Sequence, residues 1–229
     1  MQAAMVALQN DYEEVNCSAT DGSFTIPMHF RWPAPYHFLD SGIAQLLLTL
    51  GAASIIDVGA GSGQYGAWLE TRRRRGEANV PAWRGVDGAT NIEQFTRTKG
   101  APGAAVRYAN VCDARVDLGA PAEWAMSLEV GEHLPESCLG TYTRLLARSA
   151  TRGLLLSWAH PGQGGHCHIS TRSGEWVKAT FGRFGWALDA ELTARARNAS
   201  KLGWLRRNIM AFRPGAPVST SSALSRLFG

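Results

Sequence analysis

The chain has 229 residues, of which 45% are hydrophobic and 18% are charged, and this composition is typical of a globular protein. One α/β domain with some additional elements accounts for the length, because a single core can serve up to roughly 250 residues. The N-terminal residues lack a basic segment followed by a long apolar one, and the run from Leu46 to Leu50 is far shorter than the about 20 residues that cross a membrane. We therefore expect a cytoplasmic protein without a membrane partner.

The basic run Arg72 to Arg75 contributes to a formal net charge of +4. Such a run can bind nucleic acid or form the solvated end of a helix. Four successive residues point in all directions around a helix, and cations are favoured near a helix C-terminus. We therefore predict a solvated helix end and no nucleic-acid partner, with an RNA substrate as the less favoured alternative.

The four cysteines are scattered along the chain and do not have the paired spacing of a metal site. They are Cys17, Cys112, Cys138 and Cys167. In a cytosolic chain, cysteines of this kind are most simply free thiols. We predict no disulfide.

Residues 1–52 are predicted to form an N-terminal arm and a substrate-covering helix. The segment Phe24 to Tyr36 is rich in aromatic residues and prolines, so it cannot run as a regular helix. It either covers a pocket or packs at an edge of the fold. From Tyr36 to Leu50 the apolar spacing becomes helical, and Gly51 ends the helix.

The short apolar run Ala53 to Val58 has the length of a buried parallel strand and breaks into glycines at alternate positions, Gly59, Gly61 and Gly63. A strand, a sharp turn and a helix in this order are typical of a nucleotide-binding edge, where glycines let a ligand approach the backbone. Asp57 lies just before the first pair of glycines. The alternative is that the glycines serve only packing.

Strands and helices then alternate, which predicts a parallel sheet with helices on both faces. The predicted helices cover Gln64 to Arg75, Ala89 to Lys99 and a segment through Ala147, and the predicted strands cover Trp83 to Val86, Ala104 to Asn110, Glu123 to Leu128, Leu154 to Trp158, Phe184 to Leu188 and Leu205 to Phe212. Polar strand ends of such a sheet meet at one edge. The residues predicted to gather there are Asp57, Gly59, Asp87, Asp113 and Glu129.

The segment after the fourth strand, Ser127 to Pro135, carries three residues that can accept a proton, Glu129, Glu132 and His133. His133 is the first candidate for a general base, because an unperturbed imidazole pKa of about 6.5 suits proton transfer near neutral pH. It is explained equally well as a helix-start residue with local contacts. Glu129 fits better as a residue that orients a cofactor or an acceptor.

Two segments together resemble class I S-adenosylmethionine-dependent methyltransferases. Asp57 to Gly63, with its Asp-x-Gly-x-Gly-x-Gly pattern, resembles the first motif of that family, and Ser127 to Pro135 resembles the block that follows its fourth strand. The resemblance covers most of Ala53 to Phe212. It implies a Rossmann-like seven-stranded, mostly parallel sheet with helices on both faces and an antiparallel last strand, in a methyltransferase domain over residues 53–213.

The resemblance implies S-adenosylmethionine as the cofactor and S-adenosylhomocysteine as the product. Asp57 would lie near the amino-acid end of the cofactor, and Asp87 would accept hydrogen bonds from both ribose hydroxyls. Asp113 would contact the adenine amino group, or it is a cap or turn residue. The implied cofactor-binding residues are Asp57, Gly59, Ala60, Gly61, Gly63, Asp87, Gly88, Asp113, Ala114, Leu128 and Glu129.

The loop after the fifth strand, Ser157 to Ser170, contains His160, His166 and His168. In an extended segment His166 and His168 share a face, so one metal ion could take both, with His160 or a glutamate as the third ligand. The glycines of the loop suit a tight turn over a ligand, and we predict an acceptor pocket and no metal. The candidate catalytic residues are Glu129, His133, His160, His166 and His168.

The sequence thus predicts methyl transfer from S-adenosylmethionine to a small-molecule acceptor, with oxygen as the favoured acceptor atom. The alternatives are a methyltransferase that acts on RNA or protein, which the basic segment Arg195 to Arg213 would support, and an S-adenosylmethionine-binding module without catalysis. A homodimer is compatible with the sequence. Residues 214–229 are expected to form a mobile tail.

Overall fold

The computed structural model describes residues 15–215, so most of the tail predicted at 214–229 lies outside the described residues, as does the start of the arm. The strands are β1 (Ser54–Val58), β2 (Ala82–Asp87), β3 (Val106–Tyr108), β4 (Ala122–Ser127), β5 (Ala150–Leu156), β6 (Trp186–Leu188) and β7 (Met210–Pro214). The helices are α1 (Ser41–Leu48), α2 (Gln64–Arg74), α3 (Ile92–Lys99), α4 (Glu136–Arg148), α5 (Gly174–Gly182), α6 (Ala190–Ala199) and α7 (Gly203–Asn208), with a 3₁₀-helix at Gly131–His133. Within this range no helix is both long and apolar enough to span a membrane.

The strands of residues 15–215 form one seven-stranded sheet with the order β3-β2-β1-β4-β5-β7-β6. The first five strands pair in parallel, and β7 lies between β5 and β6, antiparallel to both. The chain runs outward from β1 to β3 and resumes with β4 on the other side of β1, so the strand order reverses between β1 and β4. The predicted fold, a mostly parallel Rossmann-like sheet with an antiparallel last strand, is confirmed.

Helices cover both faces of the sheet, because successive side chains of a strand point to opposite sides. In β1, Ile56 belongs to a core that includes Tyr142 of α4 and Phe181 of α5. The preceding Ile55 belongs to a second core on the other face, with Leu47 of α1 and residues of α2 and α6. Burial on both faces explains why β1 carries two adjacent isoleucines, Ile55 and Ile56, before its aspartate.

The segment before α1 packs against α3, near β2 and β3 at the β3 edge of the sheet. The backbone of Ile26 accepts from and donates to the side chain of Asn91, which precedes α3, at 2.8 and 2.9 Å. Other residues of the segment form a third core with α3. Phe24 and Tyr36 also line a cavity at the neighbouring edge of the sheet. The segment thus combines edge packing with access to a pocket.

The buried Asp40 carboxylate connects α1 to the chain before α7. Its Oδ1 caps α1 by accepting hydrogen bonds from the backbone N–H groups of Gly42 and Ile43. Its Oδ2 accepts three more from residues 200–202. Burial acts to raise the pKa of Asp40, but the hydrogen bonds outweigh burial and hold this pKa below its ordinary value.

The stretch predicted as the last strand, Leu205 to Phe212, is divided between α7 and β7. Leu205 is buried, whereas Arg206 and Arg207 are exposed, which is the pattern of a helix of only a few residues. A helix this short has too few residues to show a repeated helical spacing of apolar side chains. The sequence therefore predicts a strand at this position.

The arginine run lies at a helix end, as predicted. Arg72, Arg73 and Arg74 occupy the last turn of α2. The guanidinium groups of Arg73 and Arg74 both pair with Glu70.

The structure pairs all four cysteines, so the prediction of free thiols was wrong. Cys17 is bonded to Cys167 across 150 residues, and Cys112 is bonded to Cys138. No cysteine within residues 15–215 is free. Pairing depends on the distance between residues in the folded chain, which sequence spacing does not reveal. Because disulfides are typical of oxidising compartments, the cytoplasmic location stays a prediction.

Candidate functional site

A cavity of about 700 Å³ opens at the carboxyl edge of the sheet. Its wall includes the ends of β1, β2 and β4, and open α/β sheets bind ligands where the strand order reverses, as it does between β1 and β4. The predicted cofactor-binding residues that line it are Asp57, Gly59, Ala60, Gly61, Asp87, Gly88, Leu128 and Glu129. Gly63, Asp113 and Ala114 are not part of the lining.

The glycine turn after β1 has a backbone that other residues would strain. Gly59 and Gly61 have φ values of 79° and 54°, in the left-handed region. A Cβ atom at Gly59 would lie 2.2 Å from Val130, and one at Gly61 would lie 2.8 Å from the His37 ring. The turn therefore needs glycine for its conformation and for the close approach of these side chains. Both glycines remain on the cavity wall.

Asp57 is a buried carboxyl group on the cavity wall, with an exposed fraction of 2%. The indole N–H of Trp83 donates to its Oδ2 at 3.4 Å. Burial raises the pKa of Asp57 to about 8; the hydrogen bond from Trp83 opposes this shift, and the charge of Asp87 adds to it. A cationic ligand group at this position would favour the ionised carboxylate and would be held by it.

Asp87 ends β2 and faces the glycine turn. The backbone N–H of Gly61 donates to its Oδ2, and that of Ala89 donates to its Oδ1, both at 2.8 Å. Burial raises the pKa of Asp87 to about 6, and these hydrogen bonds limit the rise. Each carboxylate oxygen keeps lone-pair capacity for a further donor, so Asp87 can accept hydrogen bonds from two neighbouring hydroxyls.

Asp113 lies away from the cavity and acts as a turn residue. Its Oδ1 accepts hydrogen bonds from the backbone N–H of Arg115 at 2.9 Å and from the Arg115 guanidinium at 3.1 Å. These contacts hold the pKa of Asp113 below its ordinary value. Asn110 and Val111, which follow β3 more closely, line the cavity. The Asn110 amide is in turn fixed by a 2.9 Å hydrogen bond to Asp21.

Glu129 lies on the cavity wall just after β4 and has an unusual backbone, with a left-handed φ of 55°. Its N–H donates to the Ser157 hydroxyl at 2.8 Å. Its carboxylate accepts hydrogen bonds from Gln163 at 3.4 Å and from Asn208 at 3.3 Å. A strained residue that is held by two separate segments, here the histidine loop and α7, is typical of a functional site.

Glu132, in the 3₁₀-helix, has an exposed fraction of 0%, and neither of its carboxylate oxygens accepts a hydrogen bond of normal geometry, although the Ala159 backbone and the Glu129 carboxyl lie close enough to affect its pKa. Burial, followed by the charge of Glu129, raises the pKa of Glu132 well above its ordinary value. Its backbone oxygen accepts hydrogen bonds from Ile169 and Ser170 at 2.8 and 2.9 Å, which bring the histidine loop to the end of β4. A buried carboxyl group without a partner is destabilising and marks a candidate functional position.

His133 and His168 meet edge to face on one wall of the cavity, with ring centroids 4.9 Å apart. Burial, followed by the charge of His168, lowers the pKa of His133 to about 4. The backbone oxygen of Gln163 lies 3.3 Å from His168 Nδ1. His133 is therefore a neutral imidazole near pH 7, with a lone pair available for a proton or a ligand.

The other two histidines of the loop differ from each other. His166 lines the cavity, and its Nε2 lies 2.6 Å from the backbone oxygen of Val15, so it joins the loop to the arm. His160 is exposed and is not part of the cavity lining. The structure thus brings four of the five predicted catalytic residues to one cavity: Glu129, His133, His166 and His168.

Sequence reasoning missed several polar residues that line the cavity. Burial lowers the pKa of His37 to about 3, and its Nδ1 and the Oε1 of Gln64 are buried without hydrogen-bond partners. Gln163 and Arg207 reach the cavity from the histidine loop and from α7. Two of these four residues had a sequence signal: Gln64 directly follows the glycine turn, and Gln163 lies in the loop predicted to form the acceptor pocket.

No family model and no curated protein matches the sequence, but solved structures match the fold. The sugar N-methyltransferase KedS8 from Streptoalloteichus sp ATCC 53650 is 14% identical, with a TM-score of 0.56 over 77% of this chain and 88% of that one. The magnesium protoporphyrin IX methyltransferase from Synechocystis PCC 6803 with bound S-adenosylhomocysteine is 16% identical, with a TM-score of 0.50 over 76% of this chain and 84% of that one. The cyclase SpnF is 15% identical, with a TM-score of 0.51 over 93% of each chain.

These likenesses establish the fold. The chain has the class I S-adenosylmethionine-dependent methyltransferase fold, as the two sequence segments predicted. Because one of the three similar structures is a cyclase, the fold alone does not determine the reaction. The reaction has to be argued from the residues of the cavity.

Proposed function

We propose that the protein binds S-adenosylmethionine and transfers its methyl group to a small-molecule acceptor, with oxygen as the favoured acceptor atom. The observation that carries this proposal is the convergence of Asp57, Asp87 and Glu129, from the ends of three strands, on one cavity. The cavity volume of about 700 Å³ lies within the range of about 300–1,000 Å³ that is typical of small-molecule sites.

The residues along β1 and β2 fit the cofactor. Asp57 offers a carboxylate to the amino group of the cofactor. The glycine turn lets the cofactor approach the protein backbone. Asp87 has acceptor capacity for both ribose hydroxyls. Residues 110–111, which line the cavity where 113–114 do not, would flank the adenine.

The acceptor would occupy the part of the cavity between the arm and the histidine loop. When bound, S-adenosylmethionine supplies a methyl group on a positively charged sulfur. Phe24, Tyr36 and Trp204 provide apolar surface that can orient a small organic molecule and exclude water. Glu129 and His133 are placed to receive the proton that an acceptor hydroxyl must lose.

We propose the same division of the chain that the sequence predicts, an arm to residue 52 and a methyltransferase domain over 53–213. In this scheme the arm completes the acceptor side, since it contributes Phe24, Tyr36 and His37 to the cavity. The cofactor side would be formed mainly by the domain, with His37 and Asp21 of the arm supporting Gly61 and Asn110.

Calorimetric titration with S-adenosylmethionine and S-adenosylhomocysteine tests the cofactor. Asp87→Ala should weaken binding by about tenfold or more, because each hydrogen bond to a charged group contributes about 1.5–3 kcal/mol. Asp113→Ala is the matched control: it removes a carboxylate outside the cavity and should leave the affinity unchanged. If the intact protein binds neither compound, the proposal is contradicted.

Incubation with labelled cofactor and fractionated cell metabolites tests the reaction. A compound that gains one methyl group by mass would identify the acceptor. Tight cofactor binding without turnover of any metabolite pool would instead support a non-catalytic binding module. Labelling of added RNA or protein, but of no metabolite, would support a macromolecular acceptor.

A further inference from the structure

Three side chains at the cavity wall form a group with the composition of a metal site. One carboxylate oxygen of Glu132 and one ring nitrogen each of His133 and His168 all lie within 4.8 Å of one another. His133 and His168 face the cavity, and Glu132 lies buried behind them. This separation is small enough for one ion to contact all three atoms after minor side-chain adjustment.

Glu132 gives an independent reason to expect a cation here. Its side chain is fully buried, and neither oxygen accepts a hydrogen bond of normal geometry; the polar groups closest to it are the Ala159 backbone and the Glu129 carboxyl. Buried carboxylates are normally hydrogen-bonded, paired with a cation or coordinated to a metal. A bound cation between Glu132 and the two imidazoles would supply the missing partner.

The backbone holds the three residues in place without a ligand. Glu132 and His133 are neighbours in the 3₁₀-helix, and the hydrogen bonds from Ile169 and Ser170 to the Glu132 backbone oxygen fix the loop that carries His168. The contact between His168 Nδ1 and the Gln163 backbone oxygen is of the kind that orients metal-bound histidines. The site is therefore largely preformed.

We propose that Glu132, His133 and His168 bind a divalent first-row transition-metal ion whose open positions face the cavity. Two imidazole nitrogens and one carboxylate oxygen suit Mn²⁺, Fe²⁺, Co²⁺ or Zn²⁺, whereas Mg²⁺ and Ca²⁺ prefer sites made of oxygen alone. The pairing differs from the one that the sequence suggested, because His168 meets His133 and Glu132 and not His166. This inference stands on the ligand cluster and does not require the proposed methyl transfer.

If the proposed methyl transfer also holds, the ion would lie on the acceptor side of the cavity. Its open positions could take an oxygen of the acceptor, and a metal-bound hydroxyl loses its proton more readily than a free one. His133 would then be a metal ligand, which leaves Glu129 as the nearby proton acceptor.

A second group of potential metal ligands lies nearby, and an experiment has to distinguish ion binding there from ion binding at Glu132, His133 and His168. It consists of Cys17, His166 and Cys167. In the structure the two cysteines are bonded to each other, so neither offers the thiolate that a metal ion needs. We therefore assign the ion to the glutamate and histidine group.

The test uses tag-free, full-length protein that has been stripped with a chelator and kept non-reducing. Calorimetric titration with Mn²⁺ and Zn²⁺ should show one ion per chain, with Mg²⁺ weaker by about tenfold or more. Added Co²⁺ should give the visible absorption of a nitrogen and oxygen site without the band of thiolate ligation. Glu132→Gln and His168→Ala should each lower the affinity by about tenfold or more.

Matched variants decide the assignment. His160→Ala removes an exposed histidine outside the cavity and should leave the metal affinity unchanged. Circular dichroism checks that Glu132→Gln, which keeps the shape of the side chain, remains folded. The proposal is overturned if the intact protein binds no metal ion. It is also overturned if Glu132→Gln and His168→Ala keep the metal affinity while His166→Ala loses it. Because S-adenosylhomocysteine binding is measured separately, failure of the proposed function and failure of the metal site are distinguishable.

Discussion

Asp57 and Asp87 are buried side by side at the glycine turn, and burial raises the pKa of both. Near pH 7 and without a ligand, the fold favours the neutral form of Asp57, whereas Asp87 is mostly ionised but less readily so than an unfolded aspartate. The cavity wall is therefore destabilised at neutral pH in the ligand-free protein. A cation bound at Asp57 would offset part of this destabilisation.

We expect Asp57 to destabilise the ligand-free protein progressively between about pH 4 and pH 8, whereas the lowered pKa values of His37 and His133 act in the opposite direction below about pH 6.5. The pKa of Asp57 rises from 3.8, its ordinary value, to about 8 in the fold, so the neutral carboxyl group stabilises the native state below pH 4 and that contribution is lost by pH 8. Each unit of pKa shift corresponds to about 1.4 kcal/mol. Asp57→Asn should remove this part of the pH dependence. Near pH 8 the variant should be at least as stable as the parent protein.

Urea denaturation across this pH range measures the effect. Asp113→Asn, which changes a carboxylate that pairs with Arg115 away from the cavity, serves as the control and should leave the slope between pH 4 and 8 intact. A slope that Asp57→Asn does not alter would show that other groups cause the pH dependence.

Sequence reasoning placed correctly on the cavity wall those residues that lie beside a strand end. Asp57, Asp87 and the first two glycines of the turn were predictable because a parallel strand delivers its last residues to one edge. Asp113 was not, since the choice between a turn role and a ligand role depends on where Arg115 points. The meeting of His133 with His168 depends on hydrogen bonds between distant segments, which no local pattern encodes.

At the scale of elements, Asp40 performs two tasks with one carboxylate. One oxygen caps α1, and the other organises residues 200–202, which lead into α7. Leu202, Trp204 and Leu205 line the cavity from this side. The position of this wall therefore depends in part on one buried side chain of the arm, together with the core packing of Leu205.

We expect Asp40→Ala to reduce the free energy of unfolding by about 3 kcal/mol, because it removes a helix cap and leaves several buried donors unpaired. Asp189→Ala is the comparison. Asp189 caps α6 through one backbone N–H and pairs with Arg213 at 3.3 Å, so its loss should cost about 1–2 kcal/mol. Chemical denaturation of both variants measures the difference, and equal losses would show that the contacts to residues 200–202 contribute little.

The helices after β5 show where element prediction failed. The sequence prediction contained neither α5 nor α6, and it extended the last strand through α7. α5 and α6 begin at the caps Ser173 and Asp189, whose side chains accept backbone hydrogen bonds, but their interiors mix alanines, threonines and charged residues. Their helical state depends on packing against the sheet, which outweighs such weak local signals. The glycine turn, in contrast, has a strong local pattern.

At the scale of the whole molecule, the two disulfides join parts of the chain that the sheet does not connect. Cys17 to Cys167 attaches the arm to the histidine loop, close to the hydrogen bond between His166 and Val15. Cys112 to Cys138 attaches the turn after β3 to α4. The arm and the histidine loop, which both line the cavity, are thus joined covalently as well as by packing.

We expect no free thiol in unfolded, unreduced protein, measured with a thiol-reactive dye in denaturant. Reduction should expose all four cysteines and destabilise the fold, with losses of about 2–4 kcal/mol for a typical disulfide. Cys17→Ser with Cys167→Ser isolates the link between arm and loop, and Cys112→Ser with Cys138→Ser is the matched pair. Four reactive thiols before reduction would contradict the pairing.

The left-handed backbone of Glu129 has a consequence for protein engineering. Left-handed geometry disfavours any residue with a Cβ by roughly 1–2 kcal/mol, so Glu129→Gly should be more stable than Glu129→Ala by about that amount in thermal melting. Both variants lose the carboxylate, and both should lose turnover to the same extent. Equal melting temperatures would contradict the expected strain. A choice between glycine and alanine at position 129 on heat resistance alone would thus favour glycine, although neither residue keeps the carboxylate that the proposed reaction uses.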